Sequence, residues 1–428
     1  MTLLEILPSL RSTTTPRLDP AVWPAETHYD GEGRICVGGL ALAEVADEYG
    51  TPVRVLAEAE VRRQCRALRR ALPSAEIVYG GSVLPSGAVA RWAGEEGLGV
   101  GVCSAGELAV ARAAGTDPAR IVWYGAGKTG DDLAAAVSAG VGRIVLDCLS
   151  DVTRLGASAT DRRPVLVRMR AGIDVGGHAV EREPGFGPGG SAAREAMARL
   201  VAHPRLWPVG LHCRLGHGVS DPDHYGEAVR RLIGEMAWMR AEFGVVMTHL
   251  DLGGGFAAAA QSGDAEMNLR ELAEILEDAL DAGCARHRFP RPVLTLAPGR
   301  LLVQRAGVTV YRVLGVERDG DGPAVVTVDG DVAGLGPHEV VAAGRHAVGA
   351  RMTAAVLGGR RGAGQTLAAA VRLPADLAVG EVLAVPGTGV VSAGVGAAPL
   401  VAVERGRSRV LLRREVAADL LARQVCDR

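Results

Sequence analysis

The stretch from residue 97 to residue 146, GLGVGVCSAGELAVARAAGTDPARIVWYGAGKTGDDLAAAVSAGVGRIVL, decides the fold. It contains three short apolar runs with the length and composition of buried strands, at Gly97–Val102, Ile121–Tyr124 and Arg143–Leu146. The two segments between them, Gly106–Ala114 and Asp131–Ala139, have apolar residues at helical spacing. Strands that alternate with helices at this spacing are typical of βα units, which build a parallel sheet.

The same alternation extends from about residue 50 to residue 300. Six more strand candidates follow the pattern: Val53–Leu56, Glu76–Tyr79, Val165–Met169, Val209–Cys213, His249–Leu252 and Val293–Leu296. About eight βα units in roughly 250 residues fit a closed barrel better than an open doubly wound sheet. The sequence therefore predicts an α/β protein with a (β/α)8 TIM-type barrel over residues 46–305.

The helical rhythm stops after residue 305. From there to the end, strand-like runs alternate with turns rich in Gly, Pro and Asp, which predicts a C-terminal all-β domain, a sandwich or barrel, over residues 306–428. Residues 1–45 lack the βα rhythm and include the strand-like Arg34–Val37, so we assign them to the β domain. The glycine-rich segment 172–191 predicts a long loop above the barrel.

The composition limits the classes of function. The 428 residues are 48% hydrophobic and 22% charged, with a formal net charge of −2, so we expect a globular protein that binds neither nucleic acid nor a membrane. Seven cysteines without a CxxC pair argue against a disulfide framework or a structural zinc site, and favour a reducing, cytoplasmic location. The uncharged segment 382–403 contains two prolines and four glycines, which indicates short strands rather than a membrane span.

Basic residues are distributed unevenly between lysine and arginine. Lysine and arginine total 47, but only Lys128 is a lysine. Chemistry that needs a lysine amine therefore has one candidate. Lys128 lies in IVWYGAGKTGDD, residues 121–132, which resembles a phosphate-binding Walker A loop but has Val122 where that motif needs its first glycine. We therefore expect a loop side chain near the barrel mouth rather than nucleotide hydrolysis.

The segment LDLGGGF, residues 250–256, is the clearest local motif. An apolar strand runs into Gly253, Gly254 and Gly255, whose backbone N–H groups an anion can approach closely. At the carboxyl end of a barrel strand this predicts a phosphate cradle, and the alternative is a tight turn that needs positive φ. His212 and His217 are five residues apart, which on a strand places them on opposite faces and argues against a shared metal. Isolated histidines of this kind are more often solvated or structural.

Several motifs, in this order, carry a resemblance to a known family. They are LAEVADEYGTPVRV (42–55), GLGVGVCSAGELAVARAAG (97–115), RIVWYGAGKT (120–129), GVGRIVLD (140–147), VLVRMRAGID (165–174), GLHCRLG (210–216), LDLGGGF (250–256) and PGR (298–300). The chain resembles the alanine-racemase-fold, or fold type III, pyridoxal-phosphate decarboxylases, closest to diaminopimelate decarboxylase and more distantly to ornithine decarboxylase. The resemblance implies a barrel plus a β domain, and a homodimer with active sites at the subunit interface.

The residues that the resemblance assigns to chemistry differ here. Ser82 stands where the family's lysine holds the cofactor, and a hydroxyl cannot form an imine. Ala297 replaces the glutamate that faces the pyridine nitrogen, while Arg300 of that motif remains. Arg214 stands at the ring-stacking histidine and His217 at a neighbouring serine. Further departures fall at a cysteine, an aspartate and a tyrosine motif, which become Arg361, Gly101 and Gly387–Val391.

These departures predict an atypical or catalytically inactive homologue. It would bind a small anionic ligand or pair with an active relative, as a homodimer or a heterodimer. We expect no covalently bound cofactor, with residual non-covalent binding of pyridoxal phosphate or phosphate, and no metal. The predicted ligand-binding residues are His212, Arg214, His217, Gly253, Gly254, Gly255 and Arg300. The alternative is a lyase of the decarboxylase family that acts on an amino-acid-like substrate through Arg214, His217 and Arg361.

Overall fold

The computed structural model describes residues 18–175, 183–318, 322–330, 339–347, 350–359, 366–390 and 398–423. The chain divides into two compact units. The barrel unit comprises residues 61–258 and 265–302. The β unit comprises residues up to 60, residues 259–264 and residues from 303 onward. Its first elements are β1 (His28–Tyr29), β2 (Ile35–Val37), β3 (Leu40–Ala41), α1 (Leu42–Tyr49) and β4 (Val53–Ala57).

The barrel unit is built from eight parallel strands that close on themselves. They are β5 (Glu76–Gly80), β6 (Gly99–Val102), β7 (Ile121–Trp123), β8 (Arg143–Leu146), β9 (Arg163–Arg168), β10 (Leu206–His212), β11 (His249–Asp251) and β12 (Val293–Leu296). The associated helices are α2 (Glu58–Ala71), α3 (Gly87–Glu95), α4 (Ala105–Ala113), α5 (Gly130–Ala139), α6 (Leu149–Ser158), α7 (Ser191–Ala202), α8 (Asp223–Phe243), α9 (Leu269–His287) and α10 (Arg300–Val303). Neighbours around the barrel are neighbours in sequence, so the predicted (β/α)8 barrel is confirmed.

Apolar side chains from different strands fill the barrel. Val78, Val122, Val145, Leu166 and Val209 pack in one buried cluster, although they belong to five strands. Residues from strands on opposite sides of a barrel meet only in its interior, so these are the inward-facing positions. Full burial of one such side chain contributes about 1.5–3 kcal/mol relative to its exposure. The short apolar runs of the sequence thus hold the barrel closed.

The helices begin and end where local sequence signals place them. The first turn of α5 has a capping box, in which the Thr129 hydroxyl accepts from the Asp132 N–H and the Asp132 carboxylate accepts from the Thr129 N–H. The same helix ends at Gly140, which has a left-handed φ of 74°. Such signals fix the length of each helix and return the chain to the next strand.

The β unit continues after the barrel. Its later elements are β13 (Gly307–Glu317), β14 (Ala324–Val328), β15 (Val341–Ala342), β16 (Met352–Gly358), β17 (Thr366–Pro374), β18 (Val382–Pro386), β19 (Leu400–Glu404), β20 (Arg407–Leu412) and α11 (Ala417–Leu421). The main path of the large mixed sheet is β17-β16-β14-β13-β4-β19-β20, β18 pairs with β13 and β15, and β1-β2-β3 form a separate small sheet. The predicted C-terminal β domain is confirmed.

One predicted strand lies in a different sheet from the one expected. The sequence placed Val53–Leu56 within the barrel segment, but β4 pairs with β13 and β19 of the β unit. All five residues of β4 are buried. A mostly apolar run indicates that a strand is buried but does not show which sheet the strand joins.

The long uncharged segment forms strands at both of its described ends, β18 and the start of β19, while residues 391–397 lie outside the described residues. In the described part of the chain, no helix has the length and apolar character needed to cross a membrane. Of the predicted loop 172–191, residues 176–182 also lie outside the description.

Candidate functional site

A pocket of about 550 Å³ opens at the carboxyl ends of the barrel strands. Residues at or just after the ends of seven of the eight strands line it, and β8 is the exception. This is the end at which barrels of this type place their binding loops. The lining includes all seven predicted ligand-binding residues together with Ser82. Arg361 lies outside the described residues.

The glycine run after β11 forms one wall of the pocket. Gly253 and Gly255 have φ angles of +61° and +102°, which side chains rarely adopt. A Cβ at Gly253 would lie 2.9 Å from the Cys213 carbonyl oxygen, and a Cβ at Gly254 would overlap the carbonyl oxygen of Ala297. Both demands, positive φ and close backbone approach, are met only by glycine, which is what the tight-turn interpretation expects; the phosphate cradle stays a prediction.

Three arginines bring positive charge to the pocket. Arg168 is buried and places Nε 2.9 Å from Asp147 Oδ1, while its Nη2 donates to the Tyr124 carbonyl oxygen at 2.6 Å. Arg214 is half-buried and places Nη2 3.0 Å from the His217 ring. Arg300 is exposed and begins α10. Arginine pairs well with carboxylate and phosphate, so this lining suits an anion.

His212 and Asp251 form a buried pair at the base of the pocket. They are partners in the register of β10 and β11, and Nδ1 of His212 lies 3.1 Å from Oδ1 of Asp251. The Asp251 carboxylate also accepts from the Tyr124 hydroxyl at 2.7 Å and from the Gly253 N–H at 2.7 Å. Nε2 of His212 is buried without a hydrogen-bond partner, in a residue that lines the pocket.

Burial and hydrogen bonding set the protonation states of His212 and Asp251. Burial lowers the pKa of His212, although the Asp251 carboxylate acts in the opposite direction. Burial acts to raise the pKa of Asp251, but His212, Tyr124 and the Gly253 N–H together hold that pKa below its usual value. Burial and the neighbouring carboxylate raise the pKa of Tyr124. The pair is therefore a neutral imidazole beside a carboxylate at neutral pH.

Ser82 lies in a 3-10 turn, Gly81–Val83, that follows β5. Ser82 and Cys103, which follows β6, both line the pocket. Burial raises the pKa of the Cys103 thiol, and the Glu107 carboxylate acts in the same direction. The position that the resemblance assigns to a lysine thus carries a hydroxyl next to a protonated thiol.

Lys128 is a buried structural residue rather than an open loop side chain. Its Nζ lies 2.6 Å from Asp147 Oδ2 and 3.2 Å from Asp151 Oδ2, and 2% of the residue is exposed. It does not line the pocket. Its ammonium is already matched by two carboxylates.

The opposite-face interpretation of the two histidines is wrong. His212 ends β10, and His217 lies beyond it in a loop that returns to the same pocket, so strand alternation does not apply between them. Within the described residues, no group of three or more His, Cys, Asp or Glu side chains is placed to hold a metal ion. Sequence reasoning missed Tyr124, Asp251 and Cys103. The last residue of each strand was the available signal, because Asp251 ends β11 and Tyr124 and Cys103 directly follow β7 and β6.

Comparisons with known proteins agree with this architecture. The family described as pyridoxal-dependent decarboxylase, pyridoxal binding domain, matches residues 58–304. The chain is 42% identical to diaminopimelate decarboxylase of Actinosynnema pretiosum subsp. auranticum, over 99% of this chain and 100% of that protein. It is 33% identical to diaminopimelate decarboxylase of Mycobacterium tuberculosis H37Rv, over 95% and 98%.

A solved structure shows the same fold. The crystal structure of diaminopimelate decarboxylase from M. jannaschii has a TM-score of 0.86 to this chain at 20% identity, and covers 94% of this chain and 98% of that one. The structure of lysine/ornithine decarboxylase from Vibrio vulnificus in complex with cadaverine has a TM-score of 0.73 at 21% identity, over 85% and 96%. Both extend across the barrel and the β unit.

The family match corrects the prediction about the cofactor. The sequence predicted no covalently bound cofactor and only residual binding of pyridoxal phosphate or phosphate. The match to a pyridoxal binding domain overturns this prediction, because it covers all eight barrel strands and the whole described lining of the pocket. With the relatives that share 42% and 33% of their residues, it also identifies the family. The chain belongs to the pyridoxal-dependent decarboxylases of fold type III.

Proposed function

We propose that this chain binds pyridoxal phosphate and a small anionic amino acid related to diaminopimelate, as an atypical family member with weak or no decarboxylase activity. The ligand class follows from relatives named diaminopimelate decarboxylase at 42% and 33% identity. One observation carries the proposal: a pocket with a glycine cradle and three arginines in which no described lining residue is a lysine.

The residues present fit the cofactor. The turn at Gly253–Gly255 carries no side chains, so a phosphate in the pocket can approach its backbone closely. Arg300 lies at the same pocket and adds positive charge. The unpartnered Nε2 of His212 offers a polar contact for the ring. When bound, pyridoxal phosphate supplies an electron sink for bonds at the α-carbon of an amino acid.

The pocket wall at Ser82 and Cys103 supports the proposal that this chain is an atypical family member. Ser82 and Cys103 occupy the wall where the resemblance implies a lysine, and neither provides an amine. Lys128 is held outside the pocket by Asp147 and Asp151. An amine in a pocket of this kind moves protons to and from the substrate, and its absence slows turnover. Arg214 remains available to bind a substrate carboxylate, because its Nε is buried without a partner.

The first test is binding. We expect the purified protein to bind pyridoxal phosphate, measured by absorbance and fluorescence titration, and diaminopimelate, measured by calorimetry. Gly254→Ala should weaken cofactor binding at least tenfold, because its Cβ overlaps the Ala297 carbonyl oxygen. Gly130→Ala is the matched control, since a Cβ there meets nothing within 4 Å. Failure of the wild type to bind the cofactor would contradict the proposal.

The second test concerns turnover. Release of CO2 from diaminopimelate should be at or near background for the wild type and should rise in Ser82→Lys. Ser82→Arg introduces the same charge without a primary amine, so it should stay at background. Wild-type release equal to that of Ser82→Lys would show an ordinary decarboxylase and remove the atypical part of the proposal.

A second candidate function is turnover of an amino-acid-like substrate by a remodelled site. The contact of Arg214 with His217 at 3.0 Å favours it, because both side chains line the pocket. Arg361, the third residue predicted for this route, lies outside the described residues. In a screen of amino acids, turnover that is lost in Arg214→Gln with folding intact would support this route, and unchanged turnover would exclude it.

We also propose that the chain pairs with a second copy of itself or with an active relative, as the family resemblance implies. Light scattering of the purified protein should give twice the chain mass of 44.3 kDa for the self-paired form. A monomer that changes mass only when an active relative is added would favour the mixed pair.

A further inference from the structure

His212 carries an acceptor atom that the structure leaves without a partner. The residue is 2% exposed, its Nδ1 faces Asp251, and its Nε2 is buried with no hydrogen-bond partner. Leaving a buried polar atom unpaired costs free energy. Because His212 lines the pocket, a ligand group can pair with this atom.

The hydrogen bonds around Asp251 fix which His212 nitrogen carries the proton. The carboxylate only accepts, and it already receives the Tyr124 hydroxyl and the Gly253 N–H. Nδ1 of His212 must therefore be the N–H that faces it. In the neutral ring, Nε2 then presents a lone pair and accepts a hydrogen bond rather than donating one. The ligand atom that pairs with His212 must be a donor.

The phosphate cradle and this acceptor are adjacent. A Cβ at Gly253 would lie 2.9 Å from Cε1 of His212, and the Gly253 carbonyl oxygen accepts from the Ala297 N–H at 2.7 Å. Ala297 lines the same part of the pocket with a methyl group only. A small ligand whose phosphate occupies the cradle thus lies beside His212, with no carboxylate contributed by residue 297.

We infer that Nε2 of His212 accepts a hydrogen bond from the protonated ring nitrogen of pyridoxal phosphate, with Asp251 and Tyr124 as positioning residues. This inference rests on the proposed function, since it requires that the cofactor binds in the pocket. The contact to the ring nitrogen thus comes from His212, at the end of β10, and not from Ala297, which follows β12.

The experiment compares two ligands that differ at one ring position. Pyridoxal phosphate has a ring nitrogen, and its 1-deaza analogue has a C–H there and cannot donate. We expect the wild type to bind pyridoxal phosphate about 3- to 10-fold more tightly than the analogue, as one hydrogen bond predicts. His212→Phe should bind the two ligands alike. His28→Phe, a change at an exposed histidine outside the pocket lining, should keep the preference.

The outcomes separate the two proposals. Absence of binding by the wild type contradicts the proposed function itself. Binding without a preference, or a preference that survives in His212→Phe, overturns the inference and leaves the proposed function standing. If His212→Phe does not fold, a nitrogen-15 measurement on the wild type still tests the inference. With cofactor labelled with nitrogen-15 at the ring position, a protonated-pyridine signal at neutral pH supports the inference, and an unprotonated signal overturns it.

Discussion

Two buried polar clusters lie near the carboxyl ends of the barrel strands, and they differ in how completely their charges are matched. In the Lys128 cluster, formed by Lys128, Asp147, Asp151 and Arg168, each charge contacts an opposite one. In the His212 cluster, formed by His212, Asp251 and Tyr124, the Asp251 carboxylate faces a neutral imidazole and a hydroxyl rather than a cation, and Nε2 of His212 has no hydrogen-bond partner. Breaking a buried ion pair destabilises the fold, whereas an unpaired polar atom at a pocket is available to a ligand.

The difference follows from where each cluster lies on the strands. Asp147 follows β8, the strand that contributes nothing to the pocket lining, and Asp151 lies in the first turn of α6. His212 ends β10 and Asp251 ends β11, both of which reach the pocket. Arg168, which ends β9 and lines the pocket, is the one member of the Lys128 cluster at the cavity, so the two clusters meet the pocket at different strands.

The largest expected effect tests the structural role of the Lys128 cluster. Lys128→Met should lower the free energy of unfolding by about 3–5 kcal/mol, because it leaves the buried carboxylates of Asp147 and Asp151 without their shared cation. Urea denaturation measures the change. Arg270→Met is the control, because Arg270 forms an exposed ion pair with Glu274 and should change stability little. A stable Lys128→Met protein with impaired cofactor binding would mean that Lys128 acts in the pocket after all.

Asp251→Asn tests the His212 cluster and should have a smaller effect. The substitution removes the charge that receives three donors, which costs about 1.5–3 kcal/mol in the free energy of unfolding. It also no longer fixes the proton on Nδ1 of His212, so Nε2 is not always the acceptor. The preference for pyridoxal phosphate over its deaza analogue should therefore fall. Asp278→Asn, at an exposed position in α9, is the control for stability. An unchanged ligand preference in Asp251→Asn would show that Asp251 does not position His212 for ligand binding.

How much the sequence predicts differs between the parts of the site. Strand alternation predicted the barrel, and three successive glycines indicated a tight turn at the end of β11, because both signals are local. The His212–Asp251 pair joins residues 39 apart and depends on the register of two strands, which no local pattern shows. Cys103 and Tyr124 were missed for the same reason, since each reaches the pocket only through closure of the barrel. The family motifs placed Ser82, Arg214 and His217 together, although alternation alone had separated His217 from His212.

The smallest expected effect is a pH dependence that belongs to His212. Its pKa is lowered in the folded chain, mainly by burial. As pH falls through the ordinary histidine value of about 6.5, the unfolded chain takes up a proton that the folded chain does not, so stability declines. Above that pH both forms are neutral and the residue contributes no pH dependence. His249, whose pKa is also lowered by burial, adds a decline of the same sign.

A comparison of variants measures the contribution of His212 to this pH dependence of stability. Denaturation measured from pH 7.5 to pH 5.5 should show a smaller loss of stability in His212→Phe than in the wild type. Bound pyridoxal phosphate should extend the wild-type decline to lower pH if its ring nitrogen donates to Nε2, because that contact further lowers the pKa of His212 in the folded chain. An equal loss of stability in the wild type and His212→Phe would show that the His212 ring is not held neutral in the folded chain. The His212 cluster would then contain a cation, as the Lys128 cluster does.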